Sequence, residues 1–182
     1  MADQDPTLDE RYLEAFPSFL RTLGDDAGAL GTFAGSDAPE NARRYVVAGL
    51  NYIFKSLDLI PDGIDDLGFL DDAFVLRVAA SLAVTETPEV GASEPLARLV
   101  TDANHVKGFL GDVYPRLEAY VKNLLKGAAR GRTVDDVMSD APTRETFLHE
   151  VDAWAKGYQV PSFSRDVKTL IKLKAFLNAK LA

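Results

Sequence analysis

The feature that most constrains the fold is a pair of apolar segments separated by a short acidic stretch. Residues 45–54 and 69–84 carry apolar side chains at most positions, whereas residues 57–72 hold six aspartates and no basic residue. Helices that are apolar on nearly all sides lie at the centre of a protein, because burial removes their surface from water. The sequence therefore predicts a buried helical hairpin over residues 45–84, connected by residues 57–72, here called the acidic turn.

The rest of the chain also shows helical spacing of apolar residues, and strand-like alternation does not stand out. We expect one all-α domain of six to eight helices, spanning residues 1–182 and organised around the central hairpin. The first helix is expected to kink or break at Pro17, which lacks an amide hydrogen, and to end at Gly24. The glycine-rich residues 24–35 then predict a short close-packed helix or a flexible connection.

Composition and charge exclude several functional classes. The formal net charge of −8 argues against nonspecific nucleic-acid binding, which requires a basic face. The absence of cysteine excludes disulfides, zinc–thiolate sites and cysteine catalysis. The first residues lack the basic start and apolar run of a signal peptide, and residues 45–54 are too few to span a bilayer. We expect a cytoplasmic protein, with peripheral membrane contact left open.

The acidic turn carries an ordered motif, which consists of Tyr52, Asp58-Leu59-Ile60-Pro61-Asp62, Ile64, Leu67-Gly68 and Leu70-Asp71-Asp72. Its order and spacing resemble those of the YkvA-like family, a domain of unknown function. The resemblance covers about residues 45–80. It implies a helical hairpin, frequent association with membrane-linked proteins, and no established activity.

Two positions depart from that family's pattern. Ser56 and Asp65 stand where the family usually has proline. Because proline restricts the backbone of a turn, its loss predicts a less rigid connection here. The second replacement also makes the connection more acidic.

A divalent cation site is the sharpest functional hypothesis for the acidic turn. Calcium and magnesium bind several oxygen ligands, and clustered aspartates supply them. Residues four apart share one face of a helical turn, and an adjacent pair on the next helix can close the site. The hypothesis names five candidate ligands for calcium or magnesium: Asp58, Asp62, Asp66, Asp71 and Asp72. The site is not an EF-hand, because apolar residues occupy loop positions three and twelve, where acids are required.

A structural interpretation of the same aspartates is favoured. Asp62 or Asp66 can cap a helix start, and the aspartates of the pair at 71–72 suit a first helical turn, where the helix dipole favours anions. Asp58 can hold backbone amides of the turn. Arg43, Arg44 or Arg77 can pair with a partly buried aspartate. A paired-carboxylate acid–base site is a third, less favoured alternative.

The remaining candidates are weaker. His105 and His149 have no histidine partner at ligand spacing, and we interpret each as a surface or packing residue. The last segment, residues 162–182, is basic and amphipathic. Such a helix usually presents a solvated face, and peripheral membrane or partner binding through it is the alternative.

These observations favour a non-enzymatic helical interaction or scaffold protein with an unidentified protein partner. The alternative is a divalent-metal-dependent enzyme, hydrolase-like, that uses the aspartates of the acidic turn. A pocket with converging carboxylates would favour the enzyme, and a capped turn without a cavity would favour the interaction protein.

Overall fold

The described part of the chain is built mainly of helices. The computed structural model describes residues 6–55, 58–61, 63–64 and 66–181. Within them lie eight α-helices: α1 (Pro6–Ala34), α2 (Glu40–Tyr52), α3 (Leu70–Glu86), α4 (Leu96–Leu110), α5 (Tyr114–Asn123), α6 (Val134–Ser139), α7 (Ala141–Gly157) and α8 (Val167–Lys180). Short 3-10 turns cover Pro88–Ala92, Gly111–Val113 and Leu124–Lys126. The prediction of an all-α fold with six to eight helices is confirmed.

The predicted central hairpin is formed by α2 and α3, which pack against each other. Leu50, Leu70 and Val75 are fully buried, as the pattern predicts, whereas Ile53 is half-buried. Buried residues occur on all sides of α3. Nearly all buried apolar residues of the described structure join in one hydrophobic cluster that draws on α1 through α8. The assignment of all 182 residues to one domain stays a prediction.

The first helix differs from the sequence-based expectation. α1 is a single element of 29 residues, so the predicted end at Gly24 is wrong and the helix does not break at Pro17. Pro17 itself is buried, and its neighbour Phe16 is fully buried in the core. Packing on both sides of Pro17 outweighs the one hydrogen bond that it cannot make.

The glycines of α1 form its contact with α7. A side chain at Gly31 would lie 3.2 Å from Val151, and one at Gly24 would lie 3.0 Å from the carbonyl oxygen of Ala155. Small residues allow two helix backbones to approach closely. Residues 24–34 therefore continue the helix, and their glycines serve interhelical packing.

A two-residue antiparallel hairpin, β1 (Ala128–Ala129) and β2 (Arg132–Thr133), was not expected. The sequence suggested only a basic connection here. Arg130 and Gly131 have φ values of 51° and 76°, the consecutive positive values that a tight hairpin turn requires. Within the described ranges, no helix is both long and apolar enough to cross a membrane.

Replacement of Gly49 by alanine tests the α2–α3 contact. The new Cβ would lie 2.8 Å from the Cβ of Ala79, which has no flexible atoms that could move away. Alanine is the better helix former by about 1 kcal/mol, but overpacking costs about 1–3 kcal/mol. We expect Gly49→Ala to lower the free energy of unfolding in a urea titration.

Gly28→Ala is the matched control, because its Cβ would meet Ala155 at an ordinary distance of 3.6 Å. This change should leave the free energy of unfolding equal or raise it by up to about 1 kcal/mol. Equal stabilisation by both substitutions would contradict the close approach at Gly49.

Candidate functional site

The acidic turn joins the C-terminus of α2 to the N-terminus of α3. Asp71 and Asp72 lie in the first turn of α3 and are buried, whereas Asp58 and Asp66 are half-buried. Carboxylates at that end of a helix are stabilised by its dipole, and this part of the structural interpretation is confirmed. Asp62, the remaining candidate ligand, lies outside the described residues.

Asp71 joins three parts of the backbone. Its Oδ2 accepts hydrogen bonds from the Tyr52 hydroxyl at 2.5 Å and from the Ile60 amide at 3.3 Å. The Tyr52 oxygen in turn accepts a hydrogen bond from the Leu59 amide at 2.7 Å. The end of α2, the turn and the start of α3 are therefore connected through one carboxylate and one phenol. Asp71 thus accepts from a turn amide, the role that the sequence suggested for Asp58.

The turn concentrates negative charge around buried phenols. Burial raises the pKa of Tyr52, and the charges of Asp71 and Asp72 raise it further. Burial also raises the pKa of Tyr120 to about 12, with Asp71 and Asp58 adding to the effect. Asp71 therefore lies near both tyrosines, Asp72 near Tyr52 and Asp58 near Tyr120, and the centroids of the two rings are 6.1 Å apart.

Asp66 is placed differently. Its backbone has a φ of 66°, a left-handed conformation that aspartate tolerates better than most residues. It is not among the described residues that shift the pKa of either tyrosine. The structure therefore gathers three of the four described candidate ligands and does not place Asp66 with them.

A metal-binding arrangement is not completed by the described residues. No group of three or more histidine, aspartate or glutamate side chains among them has the geometry to hold a metal ion. Because Asp62 lies outside the described ranges, the calcium or magnesium site stays a prediction. A general acid or base must reach its substrate, and Asp71 is fully buried.

Arg77 has partners that the sequence did not suggest. Its side chain is 0% exposed, with Nη2 3.1 Å from Asp26 Oδ2 and Nε 3.1 Å from Asp102 Oδ2. The guanidinium carbon lies 3.9 Å from the centroid of the Phe19 ring. Burial lowers the pKa of Arg77, and the charges of Asp26 and Asp102 oppose that shift. Arg77 therefore joins α1, α3 and α4, and these two carboxylate partners lie outside the acidic turn.

Clefts in the described structure are formed mainly by elements outside the acidic turn, although one of them is lined by Tyr120, which neighbours Asp58 and Asp71. They are lined by residues of α1, α4, α5, α7, α8 and the adjoining loops. One of them brings Arg11, Arg21 and Arg165 together with His105, which the sequence analysis took for an isolated residue. The sequence could have indicated the α1 part of this cleft, because Arg11, Ser18 and Arg21 recur at helical spacing on one face of α1.

Comparison of the chain with known protein families, curated proteins and solved structures finds no match. The resemblance to the YkvA-like family therefore rests on the motif of the acidic turn and stays a prediction.

Tyr52→Phe tests the hydrogen bonds of the turn. The substitution leaves the Leu59 amide and Asp71 without their shared partner, and we expect a loss of about 1–3 kcal/mol in the free energy of unfolding at pH 7. Because the folded-state pKa of Tyr52 is raised, its contribution is complete below a pH of about 10 and is lost as pH rises. The difference in free energy of unfolding between the parent protein and Tyr52→Phe should narrow by about 1.4 kcal/mol for each pH unit above that pH. Urea titrations between pH 7 and 11 would contradict this if the difference stayed constant.

Thermal melts with added cations test the metal hypothesis. A cation that bridges Asp58, Asp62 and Asp72 would add about 2.7 kcal/mol at a hundredfold excess over its Kd, and Asp58→Asn or Asp72→Asn would erase the gain. We expect a flat melting temperature across millimolar calcium, magnesium and manganese, because Asp72 is buried in the first turn of α3, where the helix dipole already stabilises its carboxylate. A rise in the parent protein that both asparagine variants lack would establish the metal site instead.

Proposed function

We propose that this chain is a non-enzymatic helical interaction protein of the cytoplasm that docks on anionic membrane surfaces through the outer face of α8. The observation that carries the proposal is a pair of exposed apolar side chains between lysines. Val167 and Ile171 are 44% and 65% exposed, and they lie one helical turn apart.

The orientation of α8 leaves this face open. Leu170, Leu173 and Leu177 are buried against the core, so the opposite side of the helix faces outward. Lys168 and Lys172 lie beside the apolar pair at the same helical spacing and are exposed. An apolar strip flanked by lysines is the pattern of helices that lie in the membrane interface.

Charge supports an anionic surface as the occupant. α8 carries four lysines and no acidic residue, in a chain whose net charge is −8. Each basic residue near an anionic bilayer contributes about 1 kcal/mol, and the attraction decreases with salt. Two exposed apolar side chains add little area at about 25 cal/mol per Å². Binding should therefore be weak and depend strongly on ionic strength.

The acidic turn is consistent with a non-enzymatic protein, because Asp71 and Asp72 are buried and Asp71 accepts hydrogen bonds within the fold. The alternative function is a divalent-metal-dependent, hydrolase-like enzyme. Its support is the proximity of Asp58 and Asp71, both of which raise the pKa of Tyr120. The cation melts described above decide between the two interpretations of the turn.

Vesicle sedimentation tests the proposed docking face. Lys168→Glu/Lys172→Glu and Ile171→Glu should each abolish low-salt sedimentation with vesicles that contain phosphatidylserine, because they remove charge and apolar contact respectively. Point variants are required, since deletion of α8 would uncover the core that Leu173 and Leu177 cover. Binding by the parent protein should disappear as salt is raised.

The matched control is Lys122→Glu/Lys156→Glu, which changes net charge by the same amount on α5 and α7. Both lysines are exposed, at 53% and 77%. This control should retain most of the sedimentation. Equal loss in the control and in the α8 double variant would show that net charge alone governs binding, and would refute docking through α8.

A further inference from the structure

A basic cleft on α1 is separate from the acidic turn and from the outer face of α8. It has a volume of about 440 Å³ and is lined by Arg11, Glu14, Ala15, Ser18, Arg21, His105 and Arg165. Three arginines, a histidine and a serine therefore line one concave surface. Such convergence contrasts with the net charge of −8 that the whole chain carries.

The fold brings these residues together from three segments. Arg11, Ser18 and Arg21 lie at helical spacing on α1, seven and three residues apart. A side chain at Gly108 of α4 would lie 2.9 Å from the hydroxyl of Tyr12, so this glycine permits the close approach of α4 to α1. His105 lies one turn before Gly108 and is thereby carried to the α1 face.

The third segment precedes α8. The hydroxyl of Tyr158 donates a hydrogen bond to the carbonyl oxygen of Leu20 at 2.7 Å, which fixes the start of this segment on α1. Phe163 packs against the hydrophobic core. Arg165 follows two residues later and completes the wall of the cleft.

The arginines of the cleft are available to a ligand. Within residues 6–55, 58–61, 63–64 and 66–181, none of Arg11, Arg21 and Arg165 forms an ion pair with a carboxylate. Among the described residues that line the cleft, Glu14 is the one acidic group, so the three arginines leave a local excess of two positive charges. A neighbouring cleft is lined by Arg11, Glu14 and Arg165 and also by Glu10. Because this second glutamate offsets positive charge at its end, the excess of positive charge lies toward Arg21.

We propose that this cleft binds a phosphomonoester group. Guanidinium groups form paired hydrogen bonds with phosphate oxygens, and Ser18 and His105 supply further polar contacts. A phosphomonoester carries a charge of about −1.5 to −2 at pH 7, which matches the local excess of the cleft. A single carboxylate carries half of that charge and would leave one arginine unbalanced. The ligand is a soluble phosphate ester or the headgroup of phosphatidic acid, which share this chemistry.

An NMR titration with inorganic phosphate tests the site. At ionic strength held constant with sodium chloride, we expect saturable shifts of the amides of Arg11, Ser18, Arg21 and His105. Arg21→Gln should weaken binding by about tenfold or more, since it removes a charge-assisted contact. Glu14→Gln should strengthen binding by roughly two- to fivefold, since it removes a repulsive charge.

Lys156→Gln is the control, because it removes one positive charge from α7, where Lys156 is 77% exposed and outside the cleft lining. Its affinity for phosphate should equal that of the parent protein. Absence of saturable shifts, or equal weakening by Arg21→Gln and Lys156→Gln, would overturn the proposal. Lys168→Glu/Lys172→Glu should retain phosphate binding, so this test is independent of docking through α8.

Vesicles distinguish the two sources of the phosphate group. Stronger sedimentation with phosphatidic acid than with phosphatidylserine at equal surface charge, lost in Arg21→Gln, identifies a lipid headgroup. Saturable binding of inorganic phosphate without that preference identifies a soluble ester. Both outcomes support the site, because each requires the saturable phosphate binding whose absence overturns the proposal.

Discussion

The buried charge of Arg77 determines how three helices meet. An ionised side chain in a protein interior must be paired and hydrogen-bonded, because its removal from water costs several kcal/mol. Arg77 on α3 obtains Asp26 from α1 and Asp102 from α4, and it stacks on Phe19. A shift of α1 or α4 along α3 would remove one of the two carboxylates that pair with this charge. The ion pairs of Arg77 therefore help to fix the relative position of α1 and α4, two of the elements that line the basic cleft.

The acidic turn presents the opposite situation, because it contains several negative charges and no basic residue. Asp71 is stabilised by a phenol and an amide, and Asp72 lies in the first turn of a helix. The two systems meet at Tyr158, whose pKa is raised by burial and by Asp72, and is lowered by Arg77. Positive and negative charges thus lie close together around α3, so this one helix carries both the buried Arg77 and the buried aspartates of its first turn.

The sequence predicted those features that depend on neighbouring residues. The apolar pattern of residues 45–84 is local information, and the hairpin followed from it. The partners of Arg77 are 51 and 25 residues away, and no spacing rule identifies them. The continuation of α1 through Pro17 also depends on distant packing, which outweighs local propensity. The basic cleft was missed for the same reason, because Arg165 and His105 reach α1 only through the tertiary fold.

The contact between the glycine face of α1 and α7 restricts sequence change more strongly on α1 than on α7. A Cβ at Gly24 or Gly31 would lie 3.0 or 3.2 Å from atoms of α7, so any larger residue there must displace backbone or a branched side chain. Val151, on the α7 side, can become smaller with only the loss of contact area. Over evolutionary time, α1 should therefore keep its glycines while α7 drifts. The pattern of variation among related chains would record which helix supplies the groove and which supplies the ridge.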